Sequence, residues 1–278
     1  MSAISLEIVE VNEHVTGQLW VVDDIHKLAS MIAVIALGQA EHAAQIIQEL
    51  SYVYPVQSRS QFYEGAREQL LIQGSTDTQK EVSQYHRDGF LFECISWIAA
   101  RQESDENTYM KDPHISSTTQ GLDGLIIQMD PVEEILSFIT ICEDKCTDNP
   151  RTQFRDHIMR AFNEHHRNER GRDLLANAIA LIKLSGLKGT AATIAADRVY
   201  DNAYRTYRAA LTVNSDTCTI KGLQKLFKGY DVLNAIGKTQ RVGASFIINN
   251  DLRSWFQELA ENVLRALDEF EAKEATNV

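Results

Sequence analysis

Residues 135 to 145, ILSFITICEDK, make an apolar run with β-branched members that stops abruptly at three consecutive charges. In a strand, alternate side chains share a face. Ile139, Ile141, Glu143 and Lys145 then point one way, and Phe138, Thr140, Cys142 and Asp144 the other. A carboxylate and an ammonium therefore sit side by side at the end of a row of core isoleucines. Such a rim can hold a metal and an attacking water. It is also where a solvated strand end would lie, and the Glu-x-Lys spacing alone does not decide. Upstream, GLDGLIIQM (121 to 129) reads as a strand opened by glycines, and DPVEE (130 to 134) as a turn. That turn folds one strand back on the other and can bring Asp123 and Glu143, twenty residues apart, to one sheet edge.

The flanking periodicities predict an α/β protein. Residues 4–12 and 16–22 read as strands. A helix is expected from Asp23 or Asp24 to about residue 53, ended by Pro55, with others over 60–73 and 79–101. ESDENTYMKDPH reads as a loop. Helices follow over 150–168, through GRDLLANAIALIKLSG, and over 190–203. Strands are expected at 207–214 and 241–249, with a helix in IKGLQKLFKGYDVL between them. A closing amphipathic helix carries Leu252, Trp255, Phe256, Leu259, Val263, Leu264, Leu267 and Phe270 as its apolar stripe, which suits packing on the sheet. The expected division is a mostly helical, acidic region at 1–78, suited to docking or regulation, and a core at 79–278.

Charge narrows the function. A net charge of −12 argues against unaided, nonspecific gripping of nucleic acid. The charge is uneven, however: residues 151–208 hold eleven Lys/Arg against six Asp/Glu, a local +5. Residues 1–50 hold one basic side chain and seven acidic ones. Four cysteines without paired zinc spacing read as reduced thiols of a cytoplasmic protein. No secretory signal is evident, and the apolar run 28–38 is too short to span a bilayer, so no membrane role is expected. SGLKGTAATI lacks the Gly-Lys-Ser/Thr ending of a phosphate loop. The adjacent His165 and His166 suit the surface better than a metal site.

Two carboxylates and a backbone carbonyl are what a hard cation such as Mg²⁺ takes as ligands, with waters completing the octahedron. A lysine beside them can orient water and stabilise charge on a phosphate. With Glu93 in the helix GFLFECIS, Asp123 in GLDGLII, and Glu143 and Lys145 in ITICEDK, residues 79–250 resemble the PD-(D/E)xK phosphodiesterase superfamily. The resemblance implies a restriction-endonuclease-like αβββαβ core and a metal-dependent endonuclease acting on nucleic acid, DNA first. It implies Asp123 and Glu143 as metal ligands together with the Asp144 backbone carbonyl, Lys145 as the catalytic lysine, and Glu93 as the added helix glutamate. Mg²⁺ is the expected cofactor, with Mn²⁺ able to substitute. Leu122 stands where the family's proline would be. Gln153 matches a helix glutamine of some branches, but His157 replaces the tyrosine spaced after it. Arg151, Gln153, Arg155 and Arg160 are the expected nucleic-acid contacts. A narrower resemblance, to effector nucleases of bacterial anti-phage systems such as the nuclease subunit of Hachiman, implies a helicase or ATPase partner that restrains cutting. A non-catalytic interaction subunit with the same fold is the alternative; intact Asp123, Glu143 and Lys145 speak against it.

Overall fold

The computed structural model describes residues 2–49, 52–56, 59–114, 122–130, 132–133 and 135–276. The chain opens with a hairpin, β1 (Ile4–Glu10) and β2 (Thr16–Val22). Helices α1 (Ile25–Ala36), α2 (Ala40–Glu49), α3 (Ser60–Leu70) and α4 (Asp77–Gln102) follow. Asp24 caps α1 by accepting the Lys27 N–H at 2.9 Å. The helix expected to run on to residue 53 instead breaks at Gly38, whose φ of 77° is the left-handed conformation that ends helices. Thr76 and Gln79 form a capping box that starts α4.

Three strands come next: β3 (Thr108–Met110), β4 (Gly124–Asp130) and β5 (Ile135–Lys145). β3 lies in the segment that reads as loop; at three residues it is too short to show a period. The return to the sheet passes through α5 (Pro150–Gln153), a π-helical turn (Phe154–Ile158), α6 (Met159–His166), α7 (Gly171–Leu184) and α8 (Gly189–Arg198). Then come β6 (Arg205–Asn214), α9 (Ile220–Leu226), β7 (Arg241–Ile248) and α10 (Leu252–Thr276).

All seven strands form one mixed sheet in the order β1-β2-β7-β6-β5-β4-β3. β5, β6, β7 and β2 are parallel neighbours, while β4 runs antiparallel to β3 and β5. Each sheet face has its own apolar core. One cluster joins α1–α4 and α10 to Trp20, Ala210 and Phe246; the other joins α6–α8 to Ile139, Ile141, Ala209 and Leu211. The alternation along β6, Ala209 to one side and Ala210 to the other, is what a strand buried on both faces requires. At Gly243 the Phe227 ring lies so close that an added Cβ would come within 2.6 Å of it.

Two of the strands lie within residues 1–78. β2 joins the sheet by pairing Thr16 to Trp20 with Val242 to Phe246 of β7. The apolar stripe of α10 is buried as well, through Phe256, Leu259, Val263 and Leu267, against the core it shares with α1 and α4. Arg67 of α3 ties to Asp268 and Glu271 of α10 at 2.7 and 2.6 Å. No helix among the described residues is long and apolar enough to cross a membrane.

Candidate active site

The β4–β5 ladder ends at the pair Gly124↔Cys142. One step further in the same register puts Asp123 opposite Glu143. Beyond that point no described residue continues the β4 ladder along β5, and the Asp144 N–H donates to Asp123 Oδ2 at 3.0 Å. The Lys145 ammonium contacts the same Oδ2 and lies 3.2 Å from Glu143 Oε2. Glu143 and Lys145 thus share a face, as the period of two requires, and the ammonium joins the two carboxylates.

Burial sets the electrostatics. Glu143 is 6 % exposed. Removal from water pushes its carboxyl up to about 7, and the neighbouring Asp123 adds to the rise, against the pull of Lys145. Burial alone would lower the Lys145 pKa, but Asp123 and Glu143 outweigh it, so the net shift is upward and the group stays charged. Asp144 points to the opposite face and is buried there. Burial raises it to about 6 against the pull of Arg208, whose Nη2 is 3.8 Å from Asp144 Oδ1. The same Nη2 donates to Ser96 Oγ of α4 at 2.6 Å, and the guanidinium lies over the Trp20 ring. Ser96, Arg208 and Asp144 therefore anchor the end of β5 from behind, while its other edge meets Asp123.

Glu93 has a different partner from the other acids. Its Oε1 accepts from the His114 backbone N–H at 2.9 Å and from His114 Nδ1 at 2.8 Å. The carboxylate places the imidazole proton on Nδ1 and leaves Nε2 to accept from Lys111 Nζ at 2.7 Å. Lys111 also donates to the Leu122 carbonyl at 2.7 Å, directly before Asp123, and its burial lowers its pKa. Glu93, Lys111, Asp123, Asp144 and Arg208 line a cavity of about 20 Å³, room for a single water. Ser96, Lys111, His114 and Arg208 were not singled out by sequence. Arg208 alone left a trace there, a charge inside an apolar strand, which is rarely buried without partners.

Among the described residues no group of three or more His, Cys, Asp or Glu is placed to hold a metal. What the edge offers is two carboxylates and the Asp144 carbonyl. That carbonyl lies on the same strand edge as the N–H that meets Asp123. These are oxygen donors only, already gathered around one positive charge, and they suit Mg²⁺ or Mn²⁺ in ligand type.

The expected nucleic-acid contacts fare unevenly. Arg151 donates to the carbonyls of Leu226 and Lys228 at 2.8 and 2.7 Å and so serves the fold. Gln153 is half-buried, Arg155 is exposed and paired with Asp156 at 2.6 Å, and Arg160 is exposed. The +5 of residues 151–208 is not one face. Arg205 is fully buried, donating to the Val199 and His165 carbonyls at 2.8 and 2.6 Å, and Arg208 lies behind the site. His165, expected at the surface, is buried too. Desolvation, then Arg170 and Arg205, hold its imidazole down at about 4, hence neutral. The four cysteines are free thiols.

The Glu143 shift has a measurable consequence. A carboxyl raised from 4.5 to about 7 contributes stability that is full below pH 4.5 and lost as pH rises through 7. In metal-free protein, Glu143→Gln is expected to raise stability at pH 8 by up to about 3 kcal/mol, with the gap closing at pH 4.5. Urea denaturation at the two pH values checks this; a variant less stable than wild type at pH 8 would show that the Lys145 pairing outweighs burial.

Comparison with protein-family models finds no match, and comparisons with curated proteins and with solved structures find none either.

Proposed function

We propose that the protein is a metal-dependent endonuclease, cleaving phosphodiester bonds of DNA, with a restriction-endonuclease-like core of the PD-(D/E)xK type. The observation that carries the reading is the end of the β4–β5 ladder, where Asp123 and Glu143 face each other and share the Lys145 ammonium. The order of elements supports it: α4, then β3, β4 and β5, then helices, then β6 parallel to β5. Asp123 precedes the second of these strands and Glu143-x-Lys145 ends the third.

Asp123, Glu143 and the Asp144 carbonyl would hold the ion. Bound there, Mg²⁺ supplies Lewis-acid polarisation of a phosphoryl oxygen and a more acidic water. Lys145, charged at neutral pH, donates hydrogen bonds to the attacking water and to the oxygen on which charge builds. Ser96 and Arg208 keep the end of β5 in place through Asp144, and Lys111 holds the backbone before Asp123. Glu93 acts on this site through His114 and Lys111.

Net charge supports a place for a second protein. At −12, long-range repulsion works against unaided capture of a polyanion. A helicase or ATPase that delivers DNA, as for an effector subunit of anti-phage defence, meets that need. The test is incubation of the purified chain with plasmid, single-stranded DNA and RNA, alone and with the product of the adjacent gene. Cleavage that requires Mg²⁺ or Mn²⁺ and stops with EDTA is expected. No metal-dependent cleavage of any substrate in either arrangement overturns the reading.

A further inference from the structure

Several cations of this chain have an acidic partner. Arg67 pairs with Asp268 and Glu271, Arg155 with Asp156, Arg170 with Glu164, and Lys238 with Glu10. The helix α9 and the turn after it carry three cations close together in sequence. Thr219 caps α9 by accepting the Gly222 N–H at 3.1 Å, and Leu223, Leu226 and Phe227 bury one side of it. Lys221, Lys225 and Lys228 are exposed on the other. Lys221 and Lys225, four apart, share one side of α9, and Lys228 follows in the turn after it. Among the described residues no carboxylate pairs with any of the three, although Asp216 and Asp231 are close in sequence. Three unpaired ammonium groups in a row are held together here in a chain whose net charge is −12.

Arg151 fixes where this row sits. Its guanidinium donates to the Leu226 and Lys228 carbonyls, so α9 is tied to α5 and the carbonyl end of α9 is neutralised by a fourth cation. Arg151 is six residues after Lys145, a span of about 20 Å at full extension. The row is therefore coupled through one short connection to the strand end that carries Glu143 and Lys145.

We propose that Lys221, Lys225 and Lys228 form the row that grips the phosphate backbone of nucleic acid beside the candidate site; this rests on the nuclease reading above. From Lys221 to Lys225 the helical rise is about 6 Å, close to the ~7 Å of axis spanned by three phosphates of one strand, and Lys228 extends the row into the turn. A membrane surface suits the row poorly, because the apolar side of α9 is spent on the core and an interfacial helix needs that side free.

The experiment uses the full chain in EDTA, so that binding is read without cleavage. The probe is a fluorescent 30-base-pair duplex, followed by anisotropy across a salt series. Lys221→Gln, Lys225→Gln and Lys228→Gln together should weaken binding at least tenfold and reduce the slope of log K against log salt by about 2 to 3, near 0.9 per phosphate contact. Each single variant should give about a third of that change in slope, with an unchanged melting temperature. Wild-type affinity and slope in the triple variant overturn the inference, and Mg²⁺-dependent cleavage by the wild type, if seen, leaves the nuclease reading standing. Loss of binding only to phosphatidylserine vesicles, with duplex binding unchanged, also overturns it. If the wild type neither binds nor cleaves, alone or with its genomic neighbour, both readings fall.

Discussion

Lys145→Ala, and separately Glu143→Gln, are expected to lower metal-dependent cleavage about a thousandfold while the protein stays folded. The magnitude is that of removing one preorganised charge from the place where charge develops in the transition state. Lys145 is held there by Asp123 and Glu143, so its loss also leaves two carboxylates facing each other without compensation. Lys145→Arg should restore little, since the guanidinium is broad and planar where the ammonium is compact. The readout is single-turnover cleavage with circular dichroism as the control for folding. Undiminished cleavage by both variants, with contaminating nuclease excluded by a mock purification, would remove these residues from the chemistry.

Asp88→Ala is expected to cost about 3–5 kcal/mol of stability. Asp88 is fully buried in α4. Its Oδ1 accepts from Arg87 Nε and Nη2 at 3.0 and 2.8 Å, and its Oδ2 from Arg253 Nη1 at 2.7 Å. Arg253, at the start of α10, reaches on to Asp148 at 3.0 Å in the loop that leaves Lys145. One carboxylate thus clips α4, α10 and the loop behind the site together. Without it the buried Arg87 keeps its charge and loses its counterion. Asp148→Ala is the contrast: that carboxylate is about half exposed, and its loss should cost under about 1 kcal/mol. Urea denaturation of both variants is the measurement, and equal small losses would show that Asp88 is not the clip.

What a reader of the sequence could obtain is local. The alternation Ile139, Ile141, Glu143, Lys145 survives in the structure because a strand has no other way to place consecutive side chains. The same holds for the buried stripe of α10 and for the pairing of the 124–130 and 135–145 strands, whose turn lies between them. The two carboxylates of the site were legible for that reason: their apposition follows from a hairpin.

The rest depends on partners far away in sequence. Residues 16–20 find β7 more than two hundred residues later, so the two strands expected over 4–12 and 16–22 join the central sheet. Nothing local encodes that choice. Glu93 turns to His114, a loop residue that obeys no period. Charge counted along the chain was a poor guide to charge on a face. Arg205 and Arg208 point inward because buried carbonyls, Ser96 and Asp144 receive them, and Arg151 closes the end of α9. The row Lys221, Lys225, Lys228 is visible in the sequence as a spacing, but only the folded chain shows that no carboxylate among the described residues meets it. Periodicity fixes which side of its own element a side chain takes; what waits on that side is decided by the packing of elements that are distant along the chain.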